Sequence, residues 1–231
     1  MNSLPTENSL FPDHTLAGKG GLKDESIKIM VDRFPELAGT ADSLRQACRA
    51  TVESLAGDGT LFLAGNGGSL ADCLHIAGEL KKSFERTRTL PRAMIDRLRE
   101  FPNGPEISVN LQAGLRAIVL GCVPVLAYAV DNDIEARFMQ FAQELYALAR
   151  PGDVFLGIST SGKAKNVLNC ATVAQAAGLP VILFTGQNES PLSELADHVL
   201  RVPSTKTAEI QSLHSQLYHV YCRVIEDTLF G

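Results

Sequence analysis

With 231 residues, 45% of them hydrophobic and 20% charged, the chain is long enough for one sizeable core and shows no composition break that would divide it. A formal net charge of -5 without clustered Lys and Arg excludes the electrostatic footprint of a nucleic-acid binder. No stretch approaches the length of a membrane span, and the opening MNSLPTENSL lacks the basic start and apolar run of a secretory signal, so a cytoplasmic protein that binds neither nucleic acid nor membrane is expected.

Residues 1–20 carry Pro5, Pro12, Gly18 and Gly20 without apolar periodicity and read as a mobile arm or an oligomer-lining strap, leaving 21–231 as a single domain. From Asp24 to about Ala56 the apolar residues recur at helical spacing, with an interruption near Pro35, which predicts two amphipathic helices. A continuous apolar run from Thr60 to Ala64 then ends in glycines, and a helical pattern starts near Ser69. This strand, loop and helix grammar recurs. Strands are predicted at Ala117 to Cys122, Asp153 to Ile158, Pro180 to Thr185 and His198 to Val202, with helices from about Lys163 and from Thr207 to about Leu229. Between Arg86 and Arg116 the chain is charged and interrupted by Pro91, Pro102 and Pro105, with a helix-like piece at Ala93 to Glu100. It reads as an insertion near the open, carboxyl ends of the strands. The fold class that follows is α/β, a doubly wound parallel five-stranded sheet with helices on both faces. The five cysteines, Cys48, Cys73, Cys122, Cys170 and Cys222, are odd in number and form no C-x-x-C pair, so reduced and mostly buried thiols are expected.

In such sheets ligands bind beyond the carboxyl ends of the strands. Two strand-to-helix loops are rich in small donors there. Gly65, Asn66, Gly67, Gly68 and Ser69 let backbone approach a ligand at a helix start, where free amides favour an anion, and Ser159, Thr160, Ser161 and Gly162 repeat the arrangement with three hydroxyls. Each alone is as well explained by a tight turn and helix cap. Together they point to a phosphate ester, while neither has the spacing of a nucleotide P-loop or a dinucleotide fingerprint.

His75 and Glu79 stand four residues apart on the helix after the first loop and share one face; Gln211 and His219 share a side of the last helix. His, Glu and His are ordinary zinc ligands, and a Gln carbonyl oxygen can complete the shell. A lone His and Glu at this spacing more often form a surface ion pair. His198 and His214 are read as such surface residues, and His14 as part of the arm.

The ordered set Gly65 to Ser69, Ala71-Asp72, His75 to Leu80, Asn132-Asp133, Gly157 to Gly162, Asn166-Val167 and Ile210-Gln211 through His219 resembles the sugar isomerase (SIS) domain family and, within it, the phosphoheptose isomerases, over about residues 24 to 229. The resemblance implies a zinc site from His75, Glu79, Gln211 and His219. It implies a sugar-phosphate site from Asn66, Gly67, Gly68, Ser69, Asn132, Asp133, Ser159, Thr160, Ser161, Lys163 and Gln211. The implied reaction is aldose-ketose isomerisation between sedoheptulose 7-phosphate and a manno-heptose 7-phosphate through an enediol, with Glu79 as base and His219 as acid. The implied assembly is a homotetramer with sites between subunits. Departures fall on the groups that read the sugar. Ala164 replaces a serine, with Lys163 beside it as a substitute charge; Ser83 replaces a basic residue; Ala208 replaces an aspartate; and an aspartate is missing near Cys122 or Val123. An isomerase of another phosphorylated ketose, or a non-enzymatic tetrameric scaffold like the replication-initiator-binding relatives, are the alternatives.

Overall fold

The computed structural model describes residues 10–12, 14 and 21–231, so the arm expected over residues 1–20 lies largely outside the described residues. In chain order the helices are α1 (Glu25–Arg33), α2 (Ala41–Ala56), α3 (Gly68–Lys81), α4 (Arg92–Leu98), α5 (Gly104–Asn110), α6 (Pro124–Asp133), α7 (Gln140–Leu148), α8 (Lys165–Ala176), α9 (Pro191–Leu195) and α10 (Thr207–Phe230). The strands are β1 (Leu61–Gly65), β2 (Ala117–Val119), β3 (Val154–Ile158), β4 (Val181–Thr185) and β5 (His198–Arg201), all parallel, in the order β2-β1-β3-β4-β5.

Strands β1, β3 and β4 are buried along their whole length, which is why they read as unbroken apolar runs rather than as alternation. Successive side chains still part to opposite faces. Leu61, Leu63, Leu156, Ile158, Ile182 and Phe184 join the core under α1, α2, α3 and α10, whereas Phe62, Ala64, Phe155, Val181 and Leu183 join the core under α7, α8 and α9. The expected doubly wound sheet is therefore present, with the interruption near Pro35 taken up by a 3-10 turn at Pro35–Thr40. Cys48, Cys73, Cys170 and Cys222 are buried free thiols and Cys122 is exposed. No helix among the described residues is long and apolar enough to cross a membrane.

Two expectations need correction. The segment between Arg86 and Arg116 lies at the amino ends of the strands, opposite the loops. Its return leg is tied there by the Leu115 amide to the Leu80 carbonyl (2.9 Å), at the end of α3, and by the Leu61 amide, at the start of β1, to the Arg116 carbonyl (2.9 Å). A helix that follows a parallel strand runs back toward the strand's start, so whatever follows α3 must begin at that end. The segment also holds a second helix, α5, whose exposed side chains left no apolar stripe to read. His214, read as a surface residue, is fully buried.

The same segment contributes an ion pair that fixes how α3 and α10 lie together. Arg88 and Glu226 are both 0% exposed, with Arg88 Nε donating to Glu226 Oε1 at 2.7 Å. Backbone groups supply further partners to both side chains. Glu226 accepts the backbone amides of Phe84, Glu85 and Arg86, and Arg88 donates to the carbonyls of Leu80 (2.7 Å) and Glu79 (3.1 Å), closing the open end of α3. The Arg88 guanidinium also stacks over the Phe230 ring at 4.6 Å. Replacing one member of such a pair leaves a buried uncompensated charge, so Glu226→Gln is expected to destabilise the fold by about 3–5 kcal/mol in urea unfolding.

His214 donates from Nε2 to the Thr185 carbonyl at 3.3 Å, while its Nδ1 is buried without a partner among the described residues. Burial pushes its pKa down to about 4, against a small opposing effect of the Thr185 bond. The folded state therefore binds fewer protons than the unfolded chain, whose histidine titrates near 6.5. Its stability is complete above that value and falls as the pH drops toward 4, by roughly 3 kcal/mol in all. Urea unfolding across this range should show the loss in the wild type and a flatter profile in His214→Gln.

Candidate active site

The strand order places a topological switch point between β1 and β3, where the chain leaves in opposite directions to build the two halves of the sheet. Gly65 and Ile158, the last residues of these strands, are register partners, so the two hydroxyl- and amide-rich loops depart side by side. The Asn66 and Asn166 carboxamides bond reciprocally at 2.9 Å in each direction, fastening the first loop to the first turn of α8. Gly67 has φ 54°, a left-handed turn that starts α3. Gly68 faces the Gln211 amide so closely that a Cβ would collide with it, which brings the start of α10 against the start of α3.

Ser69 and Ser159 are buried, and Ser161 is exposed. The second loop is held from behind by the Ser159 amide to the Phe184 carbonyl (3.0 Å) and the Gly186 amide to the Thr160 carbonyl (3.1 Å). Thr160, Ser161 and Lys163 line a recess of about 110 Å³ with Gln187, Asn188 and Ser204. Ser69 is not part of that lining.

Below the loops α3 and α10 run side by side and bring three of the four expected ligands together. His75 Nε2 is 3.1 Å from Glu79 Oε1, and the His75 and His219 rings meet edge to face with centroids 4.9 Å apart. His75 is 43% exposed, Glu79 only 15%, and the second Glu79 oxygen accepts from Lys82 at 3.0 Å. His219 donates from Nδ1 to the Ser215 carbonyl at 2.6 Å and stacks on Phe84. The Tyr218 hydroxyl lies 3.2 Å from His75 Nδ1. Asp72, one turn before His75, has a half-buried carboxyl whose pKa burial raises to about 6, with His75 opposing, and one of its oxygens is buried without a partner among the described residues.

Both imidazoles thus have Nδ1 taken by a fixed partner, the arrangement that prepares the Nε2 of a histidine for a cation. With the adjacent Glu79 carboxylate the donor set suits zinc in type. In the single chain His75 Nε2 is turned onto Glu79, and no group of three or more His, Cys, Asp and Glu side chains among the described residues is closed around a common point. Gln211 lies higher, against Gly68. Asn132 and Asp133 stand exposed at the end of α6, where the Asn132 amide donates to Asp133 at 2.8 Å. Sequence reasoning missed Tyr218 and Arg88 as partners of the cluster. A tyrosine on an apolar helix face reads as core, and an arginine in a charged segment reads as surface.

The SIS domain family model matches residues 138–223. A phosphoheptose isomerase of Leptospira biflexa is 32% identical over 208 residues, covering 90% of this chain and 93% of the relative. One of Burkholderia pseudomallei is 34% identical over 189 residues, covering 82% and 83%. Among solved structures, phosphoheptose isomerases from Francisella tularensis (TM-score 0.69, 26% identity, 88% of this chain and 94% of that one) and Neisseria gonorrhoeae (TM-score 0.65, 25% identity, 92% and 93%) share the architecture. Identity above 30% across most of the length of both chains, together with the shared architecture, means that this chain belongs to the phosphoheptose isomerase family.

Proposed function

We propose that the chain interconverts sedoheptulose 7-phosphate and D-glycero-D-manno-heptose 7-phosphate, using one zinc ion per site and Glu79 and His219 as base and acid. The observation that supports this best is the meeting of His75, Glu79 and His219 from two helices far apart in the chain: α3, which starts at the first switch-point loop, and α10, whose first turns pack against that start.

The reaction removes a proton from the carbon beside the carbonyl and returns it at the neighbouring carbon, through an enediol. His75, Glu79, Gln211 and His219 would hold the zinc, which would supply Lewis-acid stabilisation of the charge that develops on the substrate oxygens. Glu79 has an oxygen for each duty: Oε1 faces His75, and Oε2, now on the exposed Lys82, is free to exchange that partner for a substrate proton. His219 has a single open nitrogen, because Nδ1 is bonded to Ser215, so Nε2 is the atom that would face a cation or deliver a proton. The phosphate end is assigned to Asn66, Gly67, Gly68 and Ser69 of the first loop and to Ser159, Thr160, Ser161 and Lys163 of the second. Gln211, against Gly68, links the two ends of the site.

A site completed by a neighbouring subunit of a homotetramer fits the exposure of Leu74 beside His75 and of Val125 and Tyr128 on α6. It also fits the position of Asn132 and Asp133, the residues assigned to the sugar, on the outer end of α6.

Metal-stripped protein given zinc should convert sedoheptulose 7-phosphate, followed by NMR, and chelator should abolish the conversion. Glu79→Gln should lower kcat by about 10²–10⁴-fold, as expected for removal of a general base. Failure of zinc-replete wild type to isomerise any phosphorylated ketose overturns the reading. Lys163→Ala should raise KM roughly tenfold with kcat little changed, as for loss of one charge-assisted hydrogen bond made equally in ground and transition states.

A further inference from the structure

Tyr218 packs against both imidazoles of the cluster. Its ring centroid is 5.2 Å from that of His75 and 4.6 Å from that of His219, and its hydroxyl reaches His75 Nδ1 at 3.2 Å. The side chain is buried, and its phenol hydroxyl is a group able both to donate and to accept. The two histidines differ in how they are held. His219 is oriented by a carbonyl of its own helix, Ser215, whereas the Nδ1 partner of His75 comes across from α10.

We propose that Tyr218 is a positioning residue for His75, whose hydroxyl fixes the ring and, by exchanging its donor role for an acceptor role, lets Nε2 serve either Glu79 or a divalent cation. This rests on the metal reading above. Without a cation, Nε2–H donates to Glu79, 3.1 Å away, so the Nδ1 lone pair takes the Tyr218 O–H. To offer Nε2 as a lone pair, the neutral ring must carry its proton on Nδ1, and the phenol oxygen then accepts it. The net charge of the imidazole is the same in both arrangements. Only a group that is donor and acceptor at once supports both; phenylalanine fills the same space and supports neither.

The test uses the full chain and Tyr218→Phe. Zinc affinity, measured by competition with a chromogenic chelator, should fall about 10–100-fold, the usual consequence of removing a partner that orients a metal-binding histidine. In metal-free protein the ¹⁵N resonance of His75 Nδ1 should shift on losing its O–H donor, and in wild type zinc should move the ring proton to Nδ1. Zinc affinity in Tyr218→Phe within twofold of wild type overturns the inference and leaves the metal reading standing. Wild type that binds no zinc overturns the metal reading. The Nδ1 resonance, read without metal, then still decides the positioning role, and an unshifted resonance in Tyr218→Phe overturns it.

Discussion

Two helices separated by more than half the chain must lie side by side in one register for any of this chemistry to be assembled, and a buried pair of opposite charges sets that register. Arg88 and Glu226 are fully withdrawn from water, an arrangement tolerated because backbone amides meet the carboxylate and backbone carbonyls at the end of α3 meet the guanidinium. At the opposite end the glycine at position 68 admits Gln211. Between these two anchors His75 and Glu79 have no freedom to slide relative to Tyr218 and His219. Hydrophobic packing of α3 on α10 supplies the bulk of the attraction, but packing alone tolerates small shifts, whereas the matched polar contacts do not.

The second constraint is topological. A parallel sheet in the order β2-β1-β3-β4-β5 opens between β1 and β3, and the loops that follow these two strands carry the hydroxyls and free amides. The Asn66 and Asn166 amide pair closes the gap between the halves at that point. Helices α3 and α10 both begin at the rim formed by the carboxyl ends of the strands and run back along one face of the sheet.

Family membership and individual character separate along the same lines. The candidate metal ligands and the two loops carry the sequence resemblance, while Ala164, Ser83 and Ala208 are where this chain departs from what that resemblance implies. Ser83 has been drawn into structure: its hydroxyl accepts the Arg88 amide at 3.0 Å and its own amide is bound by Gln112. Where relatives are expected to present a cation four residues after the candidate base, this chain has a capping contact and a helical segment between Arg86 and Arg116. That segment lies at the amino ends of the strands, so it acts on the site through α3 and not as a cover over the loops.

The sequence alone determined the element types, because burial of the strands on both faces and of the helices on one imposes periods that the residue pattern reveals, and it pointed to two candidate loops, because glycine and hydroxyl residues suit a place where backbone meets an anion. It also singled out His75, Glu79, Gln211 and His219 as candidates through helical spacing and family resemblance. Only the tertiary structure decided that the two loops are neighbours, that His214 is buried while His75 is not, that Arg88 is interior, and that Tyr218 touches His75. The reason is that strand order, the packing of remote helices and the fate of a charge in the interior depend on contacts between residues far apart in the chain, and local pattern carries no record of them.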